Sequence, residues 1–253
     1  MSHRWLVATR LFPLAGVLLL AVSQYTSAQK RPASLASPTA VPPEAAGDLL
    51  FAHGEFLEAI DAYSRAPGDA ATLNKIGVAW HHLSAVAQAR KNYEKALSLR
   101  PDFPEALNNL GATYFAEKKY SQAIRLYRRA LRLAPDSPIT AANLGTAYFA
   151  EGKPGQGMEA YRTAFSLDST VFDLDSPSII INGPITDQER AQQNYCIAEL
   201  LAAMHDQERA LTYLRKAFDA GFKDGKRLWQ DPAFSELRRS ADFASLVGEV
   251  QLK

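Results

Sequence analysis

The feature that most constrains this chain is a repeat at a spacing of 34 residues. Leu107-Asn108-Asn109-Leu110-Gly111-Ala112-Thr113-Tyr114-Phe115-Ala116-Glu117 aligns at that step with Ala141-Ala142-Asn143-Leu144-Gly145-Thr146-Ala147-Tyr148-Phe149-Ala150-Glu151. The same step carries Gly77 to Gly111 to Gly145, Ala89 to Ala123 to Gly157, Tyr93 to Tyr127 to Tyr161, and Ala96 to Ala130 to Ala164. Within each unit the bulky residues recur at helical spacing and fall on one face. Ile76, Leu110, Leu144 and Ile197 are the bulky members on the first helix of each unit. Prolines punctuate the units: Pro101 and Pro135 stop helices, Pro104 opens one, and Ser137-Pro138 reads as a cap followed by a first helical residue. The small residue of each first helix is expected to face the first Ala or Gly of the second, so that two axes approach closely. Tyr63, Tyr93, Tyr127, Tyr161 and Leu214 then fill the next layer. One helix pair cannot bury its own apolar face, so the core has to come from stacking.

Two weaker copies flank these units. Gly47, Ala59, Tyr63 and Ala66 stand 30 residues before their counterparts, with a shortened turn at Ala66-Pro67-Gly68-Asp69. Ala198, Ala210, Leu214 and Ala217 stand 53 residues beyond theirs, one period plus a 19-residue insertion. These residues resemble the tetratricopeptide repeat family, whose motif is a 34-residue pair of antiparallel helices with Leu-Gly, Tyr, Ala, Tyr/Phe, Ala and Pro at fixed intervals. The resemblance covers about residues 40–224. It implies an all-α fold, a right-handed α-solenoid of tetratricopeptide-like helix pairs with a C-terminal helical cap. The units fall at about 40–69, 70–103, 104–137, 138–171 and 191–224, with the insertion near 172–190 and capping helices in 225–253. In that last stretch Leu228, Asp231-Pro232, Phe234, Leu237, Phe243 and Leu246-Val247 predict two short amphipathic helices, with Asp231 and Pro232 as cap and first turn. The insertion carries Val171-Phe172-Asp173-Leu174-Asp175 and Ile179-Ile180-Ile181, too much apolar bulk for plain disorder, and reads as cover for the groove or a repeat junction, or as a partner contact.

The first 28 residues read as an address rather than as part of the fold. Arg4 and Arg10 precede an apolar run from Leu11 to Val22, and small or polar residues lead to Ala28. That order is the pattern of a secretory signal peptide, with an uncleaved N-terminal anchor as the alternative. Residues 29–43 carry four prolines and little bulk, which makes a semi-extended tether. Removing residues 1–28 takes away two arginines and no acid, and moves the formal charge from +1 to −1. The expectation is an exported protein, periplasmic or secreted and of bacterial type, with no stable membrane span after cleavage.

Composition narrows the function. A single Cys excludes a disulfide scaffold, and near-zero net charge argues against nucleic-acid binding by bulk positive charge. The chain lacks His-Glu-x-x-His, a phosphate loop, Gly-x-Gly-x-x-Gly and Gly-x-Ser-x-Gly. His81 and His82 are neighbours on one helix and diverge by about 100°, so they do not read as a metal pair. No catalytic, metal or cofactor residue is expected, and the chain reads as a non-enzyme.

The family resemblance implies that the first helices line a concave groove holding a peptide or helix of a partner protein. The groove positions are Phe51, Asn74, Val78, His81, Asn108, Ala112, Phe115, Thr146 and Phe149. Asn74 and Asn108 offer amides to an extended backbone, and the aromatics offer flat apolar area, unless those rings lean into a neighbouring repeat. A second surface comes from Lys118, Lys119, Arg125, Arg128, Arg129 and Arg132, six bases within 15 residues that contain no acid. They read as a solvated face or as a docking patch for an anionic partner. The two functional readings are therefore a protein-interaction scaffold working through the groove, and an adaptor or chaperone-like subunit of an envelope assembly docking through the basic face or the insertion. The sequence leaves the partner and the oligomeric state open.

Overall fold

The computed structural model describes residues 41–172 and 186–251. The N-terminal address, nearly all of the tether and most of the insertion lie outside the described residues. From Val41 onward the chain forms one unit. Its described residues fold into helices α1 (Pro43–Ala52), α2 (Phe56–Ser64), α3 (Ala70–His82), α4 (Val86–Leu99), α5 (Pro104–Ala116), α6 (Tyr120–Leu133), α7 (Pro138–Ala150), α8 (Pro154–Leu167), α9 (Asp187–Ala203), α10 (Gln207–Asp219), α11 (Gly225–Gln230) and α12 (Ala241–Gln251). Two 3-10 turns, Pro232–Phe234 and Leu237–Arg239, join α11 to α12. Consecutive helices pair, from α1 with α2 through α9 with α10, and each second helix packs on the first helix of the next pair. First helices also touch first helices, α3 to α5, α5 to α7 and α7 to α9.

Local chemistry sets the helix ends. Asp69 accepts the Thr72 N–H at 2.8 Å and starts α3. Ser137 accepts the Thr140 N–H at the start of α7, with Pro138 at the first helical position as the sequence predicts. Helix α9 begins at Asp187, a turn before the anticipated boundary, because Thr186 and Glu189 form a reciprocal capping box. Each turn between the two helices of a pair places one residue at positive φ: Gly54, Ser84, Lys118, Gly152 and His205. Only two of the five are the glycines this conformation favours.

Close packing inside each pair brings the tyrosine of the second helix as well as its small residue to the first helix, with Ala59, Ala89 and Ala123 completely buried. The glycines of the first helices lie under the tyrosine rings of the second. A Cβ on Gly111 would stand 2.6 Å from Tyr127 Cε1, and Gly47, Gly77 and Gly145 meet Tyr63, Tyr93 and Tyr161 in the same way. A ring seated against a glycine lets the two helices come together and fills the space between them. At Gly145 the small counterpart is close too, with the Gly157 carbonyl 3.0 Å from such a Cβ. The apolar core runs from pair to pair and is largest at the C-terminal end. There Leu228, Phe234, Leu237, Phe243 and Leu246 bury themselves with Tyr195, Leu201 and Leu214. Each such side chain contributes about 1.5–3 kcal/mol of burial. Asp231 ties the cap down twice, accepting the Tyr195 hydroxyl at 2.8 Å and the Ala233 N–H at 3.0 Å. Asp231-Pro232 thus opens a 3-10 turn, and the two helices of the cap stand on either side of it.

Candidate partner-binding surfaces

Asn74, Val78 and His81 are four and three residues apart, so they share one face of α3, and all three are half-buried. The Nδ2 group of Asn74 has no partner among the described residues, while its Oδ1 accepts from Asn109 at 3.0 Å. His81 Nδ1 is shielded from solvent and also lacks a partner among the described residues. Burial, helped by the neighbouring His82, lowers the His81 pKa, so the ring is neutral at neutral pH. At the edge of this face Phe51 packs edge-on against Phe56 and His82, with centroids 5.2 Å away in both cases, and His82 stacks on Phe56 at 4.7 Å.

The same stripe on α5 and α7 is closed. Asn108, Ala112, Phe115, Thr146 and Phe149 are all buried, with Phe115 only 4% and Phe149 only 7% exposed. The expectation of flat, accessible aromatic area at these two positions is therefore corrected. Phe115 leans onto Tyr120 at 5.2 Å and Phe149 onto Tyr161 at 5.1 Å, each a ring of the second helix of its own pair. Phe149 fits because Gly157 has no side chain in its path. Asn108 is also committed: it donates to Asn109 at 3.3 Å and accepts from Asn143 at 3.0 Å. Asn74, Asn109, Asn108 and Asn143 thus form one amide ladder across three first helices. Thr146 bonds the Ala142 carbonyl and the Tyr161 hydroxyl. The structure leaves Phe51, Asn74, Val78 and His81 as the open part of the predicted groove. Asn109 and Asn143 were not among the sequence candidates, although their spacing repeats that of Asn74 and Asn108.

The six basic residues divide in two. Lys118 occupies the left-handed turn at φ 58°. Lys119 pairs with Glu117 at 2.6 Å, and Glu117 also takes Arg90 at 2.6 Å. These contacts, the Lys119 hydrogen bond first, hold the Glu117 carboxyl below its usual pKa. Arg125, Arg128, Arg129 and Arg132 remain together on α6, beside an open concavity of about 540 Å³. Among the described residues, Arg129 alone of the four meets an acid, Asp102 at 3.7 Å, and it also donates to the Pro101 carbonyl.

Chemistry-bearing groups are dispersed. Among the described residues no three His, Cys, Asp or Glu side chains gather as a metal site. Burial pushes the Cys196 thiol up to about 11, and the Gln192 amide contacts it at 3.2 Å. A protonated, buried thiol is a poor nucleophile. No helix among the described residues is long and apolar enough to cross a membrane.

Stacked helix pairs, glycines under tyrosines and a capped C-terminal end define an α-solenoid built to present side chains. The tetratricopeptide repeat profile matches residues 104–137, a second profile of that name matches 140–170, and a TPR repeat profile matches 84–118. The chain is a tetratricopeptide-repeat protein, and its broad role is that of a protein–protein interaction scaffold. Among solved structures it is similar to TTC0263, a thermophilic TPR protein in Thermus thermophilus, at 20% identity and a TM-score of 0.50, covering 81% of this chain and 97% of that one. It is similar also to a chain of the APC/C hetero-tetramer Cut9-Hcn1, at 17% identity and a TM-score of 0.52, covering 82% of this chain and 35% of that one. A MamA structure aligns at 21% identity and a TM-score of 0.49, covering 75% and 93%. Likeness at such identity concerns the fold alone. None of the curated proteins matches the chain.

Proposed function

We propose that this protein holds a segment of a partner protein against the first-helix side of its N-terminal pairs, centred on α3, and carries out no bond-making step. The observation that carries this reading is the contrast between repeats. At equivalent positions α5 and α7 are closed, while Asn74, Val78 and His81 stay half-open and His81 Nδ1 has no partner among the described residues. A buried polar atom without a partner costs about 1–3 kcal/mol. A flip of the His81 ring that presents Nδ1 to a backbone N–H of a bound segment removes that cost. Val78 would supply an apolar contact, and Asn74 Nδ2 would donate to a carbonyl of the same segment. The basic, apolar and small-residue order of residues 1–28 supports export to an envelope or extracellular setting, where the partner would reside.

The test is affinity purification from the native envelope with wild type beside Asn74→Ala/His81→Ala. Both side chains lie outside the main apolar core, so circular dichroism should be unchanged. The double variant should lose the partner by about tenfold or more. Retention of every partner at wild-type strength would refute the assignment. N-terminal sequencing of the secreted form, expected to start at Gln29, tests export separately.

A further inference from the structure

The second-helix side of the third pair carries a feature that the first-helix groove does not use. Helix α6 contains four arginines and no acid. Arg125, Arg128, Arg129 and Arg132 are three, four and seven residues apart and so form one stripe. Like charges at such spacing repel by about 0.2–0.5 kcal/mol per pair in an isolated helix. The other second helices do not share this pattern: Glu94 stands at the place of Arg128 in α4, and Glu159 at the place of Arg125 in α8. Three of the four arginines make no ion pair among the described residues, and Arg129 has only the exposed Asp102. They flank an open concavity whose floor is apolar, made by Leu110 and Tyr114 of α5 and Leu126 of α6. In its wall Gln122 Oε1 is shielded from solvent and has no partner among the described residues.

We infer that this concavity is a docking site for an acidic amphipathic segment of another protein. Carboxylates of such a segment would pair with the guanidinium stripe, which extends about 10 Å along the helix axis. Apolar side chains interleaved with the acids would enter over Leu126 and Tyr114, and the Gln122 amide would turn to meet the segment's backbone. The recessed floor favours a chain over a membrane. Leu110 is buried and Tyr114 and Leu126 are half-buried, so the floor offers no protruding apolar bulk to insert into lipid. The planar forks of arginine match carboxylates bidentately, and charge pairing at an open site makes the contact salt-dependent.

The experiment uses the full chain and a fluorescent peptide of about a dozen residues, roughly the length of α6, in which Glu and Leu alternate at helical spacing. A twin with Gln in place of Glu is the uncharged control, and vesicles of anionic phosphatidylglycerol are the competing surface. The Glu peptide should bind at least about tenfold more tightly than the Gln twin, and raising salt from about 0.05 M to about 0.5 M should weaken it by a similar factor. Arg125→Glu/Arg132→Glu should abolish binding with an unchanged circular-dichroism spectrum, since both side chains are exposed. Arg125→Lys/Arg132→Lys should restore part of it. Equal binding of the two peptides, no binding of either, binding indifferent to the Glu substitutions, or binding to vesicles without binding to the Glu peptide would each overturn the inference.

Discussion

Gly111→Ala is the sharpest test of how the helix pairs close. On an exposed helix the change would stabilise by about 1 kcal/mol, because alanine is the better helix former. Here the new methyl would stand 2.6 Å from Tyr127 Cε1 and 2.9 Å from Cδ1. The Tyr127 ring is fully buried and has nowhere to retreat. Overpacking of this kind costs about 1–3 kcal/mol, occasionally more, so the net effect is destabilising. The fifth pair shows the other solution, with Ala198 and Leu214 at the two equivalent places and both fully buried. Tyr127→Leu alone should leave a void and cost about 2–4 kcal/mol. The double variant should repack as the fifth pair does and recover at least about 1 kcal/mol of the summed loss. Urea denaturation followed by far-ultraviolet circular dichroism reads all three. Additivity within about 0.5 kcal/mol would show that the methyl and the ring do not compete for one space.

Other outcomes follow from the same structure. Lys118→Gly should stabilise by about 1 kcal/mol in thermal melts, because it relieves a side chain held at φ 58°. Phe115→Ala and Phe149→Ala should each cost about 3–5 kcal/mol, and the pair should abolish cooperative unfolding, since both rings are core. Phe234→Ala should loosen the cap and expose the Tyr195 ring, read as increased binding of a hydrophobic dye and a loss of about 3–5 kcal/mol. Burial first, then Asp231, raises the Glu199 pKa above its ordinary value. Folding then favours the protonated form, so its contribution is present below the unfolded pKa and lost as pH rises through the folded one. Glu199→Gln should therefore be more stable than wild type near neutral pH, and the advantage should vanish on acidification below the usual glutamate range.

The periodicity made most of the fold legible. Gly77, Tyr93 and Pro101 recur at one step because each unit meets the same neighbours, so sequence and packing share a period. The direction of the contact was less legible. Equivalent small residues on both helices predict a small-on-small approach, and the tyrosine four residues on, whose ring also covers the glycine, is visible only in the packed pair. The groove was the least legible part. Side-chain register put Phe51, His81, Phe115 and Phe149 at equivalent positions, but register alone does not say whether a ring faces out or folds back on its own pair. Gly157 decides this for Phe149, and that contact spans the two helices of a pair. The amide ladder is hidden in the sequence for a related reason. Asn109 and Asn143 look like ordinary neighbours of Asn108 until α3, α5 and α7 are set side by side. The basic run spans six residues in the sequence, but Glu117 and Asp102 reach it from outside its own 15-residue window.

Site-specific photo-crosslinking tests the interaction role most directly. A photoreactive side chain at position 78 reports on the open face of α3, and one at the exposed Lys91 of α4 serves as the control. A discrete protein adduct is expected from position 78 in cells, absent from position 91 and lost when Asn74→Ala/His81→Ala is added. Equal adducts at both positions, or an adduct at position 78 that persists in that double variant, would contradict the interaction role.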